Sequence, residues 1–574
     1  MNTIDIIIEN SNERRTVPQG IALGDLAREY YAEPGRPQLK NPILGALVNN
    51  EVRNLNHNIY KPKNIRFFDV THTQGWRMYQ ASLVFMLYKA VRDTYPLAHL
   101  QVRHSMLGGF FCTIHEPSNP DPYTLASTVR NRMIELQQAD LPFGRKTMLI
   151  AEAIELLRKE DAAQTIKLLE GLNQMYIEMQ SLDGCNHKMA STLVPSTGCL
   201  RAWNFCPYGN PAAGDTAVGY LLQMPDPQHL DKQPLIPDTP KLFSIFREHH
   251  HWVDLLQVPT IADLNKIVRA GGANQLIHLS EALHEKKYAT IADMIYQRSA
   301  LGGHADDGVR MVLLAGPSSS GKTTSCRRLS VQLAVLGFDV KQLSLDDYFM
   351  CRERTPRLPN GEYDFESIHA LDLDLLNDHL HRLFEGEKVE IPTFDFIKGE
   401  PFYNGKTLQM GESSILVVEG IHALNPLLTA HIPNELKFKV YVSALTQIAI
   451  DDINSIRSSE NRMIRRIVRD NNFRGWDAYN TLHRWNEVRA GEEKHIFPYQ
   501  EQADVMFNSA LLYELGVLRP FAEPQLKRVP QNCEEYAEAH RLLNFLEIID
   551  PIDTKFIPPT SIMREFLGGS SFEY

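Results

Sequence analysis

The seven cysteines include no Cys-x-x-Cys pair. An odd count without paired spacing argues against a disulfide framework and predicts reduced thiols. No apolar run approaches the roughly twenty residues of a membrane span, and the opening MNTIDIIIENSNERR lacks the shape of a signal peptide. Positive charge is in deficit as well. Fifty-nine Lys and Arg face 70 Asp and Glu, a net charge of −11. That balance speaks against broad nucleic-acid binding, although a local basic patch remains compatible with it. No internal repeat is visible. These absences predict a cytoplasmic chain without a membrane segment.

What is present is a long globular chain. At 574 residues, 43% apolar and 22% charged, it exceeds one ordinary core, and roughly three or four domains are expected. Residues 1–70 read as a small unit of short strands around one helix. Residues 71–235 open on a long helical pattern, TQGWRMYQASLVFMLYKAVRDTYP, and continue as mixed α and β. The Pro-rich stretch MPDPQHLDKQPLIPDTP ends that region. Residues 236–300 read as a helical linker rich in His and Lys. From 301 to 530 strands and helices alternate, the pattern of a parallel sheet with crossover helices. Residues 531–574 read as a helix and an irregular tail.

Residues 312–324, VLLAGPSSSGKTT, place an apolar strand before G-x-x-x-x-G-K-T and a helical pattern after it. In that context the backbone of Gly316, Ser318, Ser319, Ser320, Gly321 and Thr324 cradles a polyphosphate at a helix N-terminus. Lys322 reaches the terminal phosphates, and the Thr323 hydroxyl is a magnesium ligand. No [NT]-K-x-D guanine-reading motif follows, which disfavours a GTPase. The next apolar run, VKQLSLDDYF, ends in Asp346-Asp347, and SSILVVEGIHAL ends in Glu419-Gly420. Acids at the C-terminal tips of neighbouring parallel strands point into the ligand crevice. Asp346 is thereby placed to take a proton from an attacking hydroxyl or to help hold magnesium, and Glu419 to be a further magnesium contact. In ENRMIRRIVRDNNFRGW, Arg462, Arg465, Arg466 and Arg469 share one helical face and Arg474 follows. Such a stripe suits a lid that neutralises charge on a transferring phosphoryl group.

These landmarks resemble the uridine kinase family of P-loop kinases, related to phosphoribulokinases. They run in family order over residues 310–515: GPSSSGKTT, LSLDDYF, YDFESIHALD, IPTFDF, VVEGIHAL, RMIRRIVRDNNFRG and FPYQEQADVMFNSA. The resemblance implies ATP and Mg2+, and phosphorylation of the 5′-hydroxyl of uridine or cytidine, with Asp346 as base. It implies Thr323, Asp346 and Glu419 as the magnesium shell and Asp364 as the acid bonding the ribose hydroxyls. Arg465, Arg466 and Arg469 match lid and substrate arginines, with Arg465 assigned to the nucleotide, Arg466 and Arg469 to catalysis, and Arg462 and Arg474 to the acceptor. One departure stands out. The family's base-reading Tyr and His correspond to Phe394 and Gly399, so stacking survives at Phe394 while the hydrogen bonds are gone, which predicts weak discrimination among acceptors.

Residues 1–70 resemble a TGS domain, a β-grasp module, through VPQGIALGDLA, ILGALVNNEVRNL and IRFFDV. RMYQASLVFMLYKAVRDTYP and LVPSTGCLRAWNF resemble the editing-type α+β domain of threonyl-tRNA synthetases. Its metal- or substrate-holding positions here are Ala81, Phe85, Met189 and Leu193, all apolar, which predicts no editing chemistry. The expected fold is therefore α/β, a C-terminal P-loop kinase with a parallel sheet and flanking helices, preceded by a β-grasp and an editing-like domain. Alternatives are a kinase of another small polyol or sugar phosphate, and an ATP-switched regulatory protein that contacts RNA through the TGS-like region. A homo-oligomer is compatible with the family. His249-His250-His251 are expected on a solvated surface, His104 and His115 are expected to flank a buried strand, and Cys326 is expected to pack.

Overall fold

The computed structural model describes residues 2–573 other than 37, 107, 210–218, 233–238, 304–307, 359–360 and 397. In the first unit, β1 (Thr3–Ile8), β2 (Glu13–Pro18), α1 (Leu23–Ala32), β3 (Gly45–Val48), β4 (Glu51–Arg53) and β5 (Asn64–Phe68) build one sheet and one helix. The strand order is β2-β1-β5-β3-β4, with β1 and β5 parallel and the other pairs antiparallel. Alternation selects the buried face: Ile6 and Ile8 on β1 and Ile65 and Phe67 on β5 meet Leu23, Leu26, Ala27 and Tyr30 of α1.

α2 (Thr73–Thr94) begins where His72 caps it, its ring accepting from Gln74 N–H. It shares one core with an antiparallel sheet of β6 (His99–Met106), β7 (Gly109–His115), β8 (Asn204–Tyr208) and β9 (Gly219–Gln223), in the order β8-β9-β7-β6. A second, three-stranded sheet spans residues 144–187. The four apolar positions singled out above lie together: Phe85, Met189 and Leu193 are buried, and Ala81 packs against the same cluster. Phe143 adds a ring 6.1 Å from Phe85.

Residues 311–526 build a five-stranded parallel sheet with flanking helices. Its elements are β10 (Met311–Ala315), α3 (Lys322–Val335), β11 (Asp339–Ser344), β12 (Ser414–Glu419), β13 (Lys437–Ser443), α4 (Ser458–Phe473), α5 (Ala478–His495), β14 (Val505–Asn508) and α6 (Glu514–Leu526). The order is β11-β12-β10-β13-β14, and every pair is parallel. β10 is buried along its whole length, as a strand covered on both faces must be.

The region expected to be a linker belongs to this core. The helix Pro240–Leu256 buries Leu242, Phe243, Ile245, Phe246, His249 and Val253, and the helix Ala273–Gln297 packs on α3. His249 is 7% exposed rather than solvated, while His251 is exposed. Four aromatic or aliphatic neighbours on the same face pull it inward, a signal that the polar HHH run conceals. His104 is buried as expected, stacked 3.5 Å from Phe246, His115 is exposed, and Cys326 is buried.

Beyond α6, a helix at Tyr536–Glu547 is followed by irregular chain and a last short helix, Met563–Leu567. Glu538 and Arg541 of the former meet Arg77 of α2 and Glu460 of α4. No helix among the described residues is long and apolar enough to cross a membrane.

Candidate active site

The phosphate loop leaves β10 at Gly316, where a Cβ would lie 1.9 Å from Val442 O, so only glycine fits. Ser319 (φ 58°) and Gly321 (φ 81°) both take the left-handed conformation. For Ser319 this is a strained choice of the kind that clusters at ligand clamps. Lys322 opens α3 and its Nζ donates to Pro317 O at 3.2 Å across the loop. Burial lowers its pKa, and Glu419, Asp346 and Glu565 act against that shift.

Two parallel strands, β12 and β11, deliver the acids beside β10. Registers pair Leu314 with Glu419 and Ser344 with Glu419, so the C-terminal tips of β10, β12 and β11 lie side by side. Glu419 Oε1 accepts from Thr323 Oγ1 at 3.3 Å and from Ser344 Oγ at 2.9 Å. Burial, followed by repulsion from Asp346, pushes Glu419 up to about 7. Asp346 sits on the 3-10 turn Leu345–Tyr348 that follows β11, half-buried. Asp347 turns away and meets Lys406 Nζ at 3.3 Å. The hydroxyl of Thr323 and the carboxylates of Glu419 and Asp346 form an all-oxygen donor set, the chemistry that magnesium takes. These residues fit that ion.

The structure divides the arginine stripe. Arg462 is buried in an ion pair with Glu492 and donates to Ser318 O at 3.0 Å. Arg465 is fully buried, paired with Glu514, and donates to Ser509 O at 2.9 Å and Ser319 O at 3.4 Å. Both brace the loop through its carbonyls and are buried rather than on the open lid face expected of the stripe. Arg466 donates to Ser318 Oγ at 2.8 Å, and Arg469 pairs with Asp470 at 2.7 Å. Arg474 stacks on Phe396 at 4.8 Å and feels the charges of Arg469, Asp470 and Asp346. These three front the crevice.

Beside Arg474, Phe394 lies 5.7 Å from Phe349 and 5.2 Å from Phe396, an aromatic wall. Gly399 has φ 78°, and a Cβ there would strike the Arg352 side chain. Arg352 crosses at that point to donate to Phe396 O at 3.2 Å. Asp364 is half-buried, and its charge acts on His495. The acid near Lys322 and Arg466 is Glu366, two residues on. Burial raises it to about 7 while Arg466 and Lys322 draw it down. Its Oε2 is buried without a hydrogen-bond partner. Gly491 makes room for it, since a Cβ at 491 would lie 2.3 Å from Glu366 Cβ. A turn at residues 365–366 rotates Glu366 inward, and a run of acids in YDFES gives no sign of which one turns. Glu565, at the loop's helix, lay outside every motif.

A sequence profile of the Phosphoribulokinase / Uridine kinase family matches residues 311–512. A uridine kinase of Schizosaccharomyces pombe (strain 972 / ATCC 24843) is 34% identical over 181 residues, which are 31% of this chain and 36% of that protein. A uridine kinase of Staphylococcus epidermidis (strain ATCC 12228 / FDA PCI 1200) is 27% identical over 194 residues, 34% of this chain and 84% of its own length. A solved structure described as a possible uridine kinase from Bacillus stearothermophilus is 18% identical and covers 38% of this chain and 98% of its own, with a TM-score of 0.26. The chain thus spans about a third of the S. pombe relative, and all these matches cover only a minor part of it. Residues 311–512 are a P-loop kinase domain of the phosphoribulokinase / uridine kinase family.

Proposed function

We propose that the protein is an ATP-dependent kinase that phosphorylates the 5′-hydroxyl of a nucleoside, uridine or cytidine. The observation that carries this reading is the convergence of Lys322, Asp346 and Glu419 on one crevice fronted by Arg466, Arg469 and Arg474. Asp346 accepts the proton of the acceptor hydroxyl. The oxygen attacks the γ-phosphorus, the bond to the bridging β–γ oxygen breaks, and ADP leaves. Lys322 and the crevice arginines hold the charge that spreads over the transferring group, where positioning and electrostatics supply most of the rate. Magnesium, held by Thr323, Asp346 and Glu419, would supply charge neutralisation on the phosphates. Glu366, beside Lys322 and Arg466, would take a hydroxyl of the acceptor in place of Asp364.

The wall of Phe349, Phe394 and Phe396 supports a flat ring stacked beside Arg474. Gly399 supports the second reading, a smaller polyol or sugar phosphate, because it leaves that wall without the polar base-reading group. Homo-oligomerisation and RNA contact through residues 1–70 belong to the same proposal for the whole chain, and residues 71–235, with their apolar core, would position rather than edit. A phosphorylation assay against nucleosides, pentoses and polyols tests the acceptor. Product restricted to uridine and cytidine supports the first reading, and product from a polyol alone supports the second.

A further inference from the structure

The cradle's donors are not idle. Glu565, on the short helix Met563–Leu567, accepts from Thr324 N–H at 3.1 Å and from Thr324 Oγ1 at 2.7 Å. Thr324 lies in the first turn of α3, where the loop's N–H groups and the helix field favour an anion. A nucleotide's phosphates need those same donors. The carboxylate is close enough to Lys322 to act on its charge. Ser318 N–H is engaged by a second carboxylate, Glu492, at 3.1 Å.

The segment carrying Glu565 is firmly seated. Ile562, Met563 and Phe566 are fully buried, and a Cβ on Gly321 would come within 2.7 Å of Ile562. Ser561 Oγ donates to Glu281 Oε1 at 2.5 Å, and Asn472 donates to Phe566 O at 3.0 Å. Arg465 lies 5.2 Å over the Phe566 ring. These contacts fix the backbone against the loop, while the Glu565 side chain is only partly buried.

We infer that Glu565 is a built-in competitor for the nucleotide's phosphates. Its carboxylate holds Thr324 and swings off when a phosphate takes the same donors, its backbone remaining in place. The inference rests on the nucleotide reading of the loop. A cradle that is open for only part of the time binds its ligand more weakly by that fraction. By reciprocity, whatever presses residues 561–567 onto α3 weakens nucleotide binding, and nucleotide loosens Glu565. The N–H and hydroxyl of Thr324 exchange one anion for another, so no donor is left unpaired in either state.

Calorimetric titration of the full chain with ADP and, separately, with adenosine tests it, using wild type, Glu565→Ala, Glu565→Gln and Lys322→Ala. Glu565→Ala should bind ADP about tenfold tighter than wild type, the scale of one charge-assisted hydrogen-bond pair. Glu565→Gln should fall between them, and adenosine should bind all three alike. Equal or weaker ADP binding by both Glu565 variants, with melting temperatures unchanged, overturns the proposal. So does an equal gain for adenosine, which would place the effect outside the phosphate cradle. If wild type and both Glu565 variants fail to bind ADP, and Lys322→Ala changes nothing, the nucleotide site itself is wrong and the proposal falls with it.

Discussion

At the residue scale, the chemistry depends on which oxygen lies where. Asp346 is the one acid of the crevice to which the proposed reaction gives a proton-accepting role. Asp346→Asn keeps its size and removes its basicity, so turnover should fall about 10²–10⁴-fold. ADP binding without magnesium should stay within about threefold of wild type. A variant that turns over normally would remove Asp346 from the mechanism. Glu366 predicts a different signature. Glu366→Gln should raise KM for the acceptor by at least about tenfold, the loss of one hydrogen bond to a charged group, and leave KM for ATP unchanged. Asp364→Asn should move neither. The reverse pattern would return the acceptor site to Asp364.

At the scale of elements, α4 joins the crevice beside the phosphate loop to the rest of the chain. Glu460, in its first turn, meets Arg77 of α2 at 2.5 Å and Arg541 at 3.2 Å. Glu538 receives Arg77 at 2.8 Å, Arg541 at 2.8 Å and Gln74 at 3.1 Å. Burial pushes Glu538 up, but Arg541 and Arg77 outweigh it and hold the carboxyl well below the usual range. Removing one member of a buried network strands the others, at a cost of about 3–5 kcal/mol. Arg77→Met should therefore lower the denaturant midpoint strongly, whereas Arg77→Lys, which keeps a charge, should lower it less. Equal midpoints in denaturant titration would show that the network contributes nothing to stability.

The same helix marks how far the sequence could be read. Four arginines at i, i+3, i+4 and i+7 announced one charged face, but periodicity is silent about what covers it. Glu492 and Glu514 lie 30 and 49 residues away along the chain, so the burial of Arg462 and Arg465 depends on tertiary packing. The phosphate loop was legible because its spacing and its strand-helix context are local. The burial of the helix Pro240–Leu256 is hidden from the sequence for the opposite reason. Its HHH run looks solvated until His104 of β6 is found stacked on Phe246, 142 positions away in sequence. Glu565 was invisible for the same cause, since a short helix late in the chain carries no pattern that points at a loop 241 residues earlier.

At the scale of the whole molecule, buried histidines set an acid limit. Burial holds His249 at about 3, His250 at about 4 and His422 at about 3, and holds His104 and His284 well below the ordinary value. These rings stay neutral in the fold, while the unfolded chain takes up protons below about pH 6.5. Their contribution is complete above that pH and is lost as pH falls toward the folded values. Glu366 and Glu419, raised to about 7, have the opposite sign and offset two of the five. The remaining three leave a loss of about 4 kcal/mol per pH unit, each ring contributing 1.4. Without nucleotide or divalent cation, the apparent Tm should drop by about 3 °C between pH 7 and 5.5, the shift that about 4 kcal/mol produces in a chain of this size. A flat profile over that range would mean that these rings are hydrated or paired.

The most direct measurement is acceptor-dependent ADP release by the full chain with ATP and magnesium, against uridine, cytidine, purine nucleosides, pentoses and polyols, with Asp346→Asn alongside and one sample lacking acceptor. The account predicts release that requires uridine or cytidine and is lost in the variant. Release that ignores every acceptor, or that survives in Asp346→Asn, would contradict it.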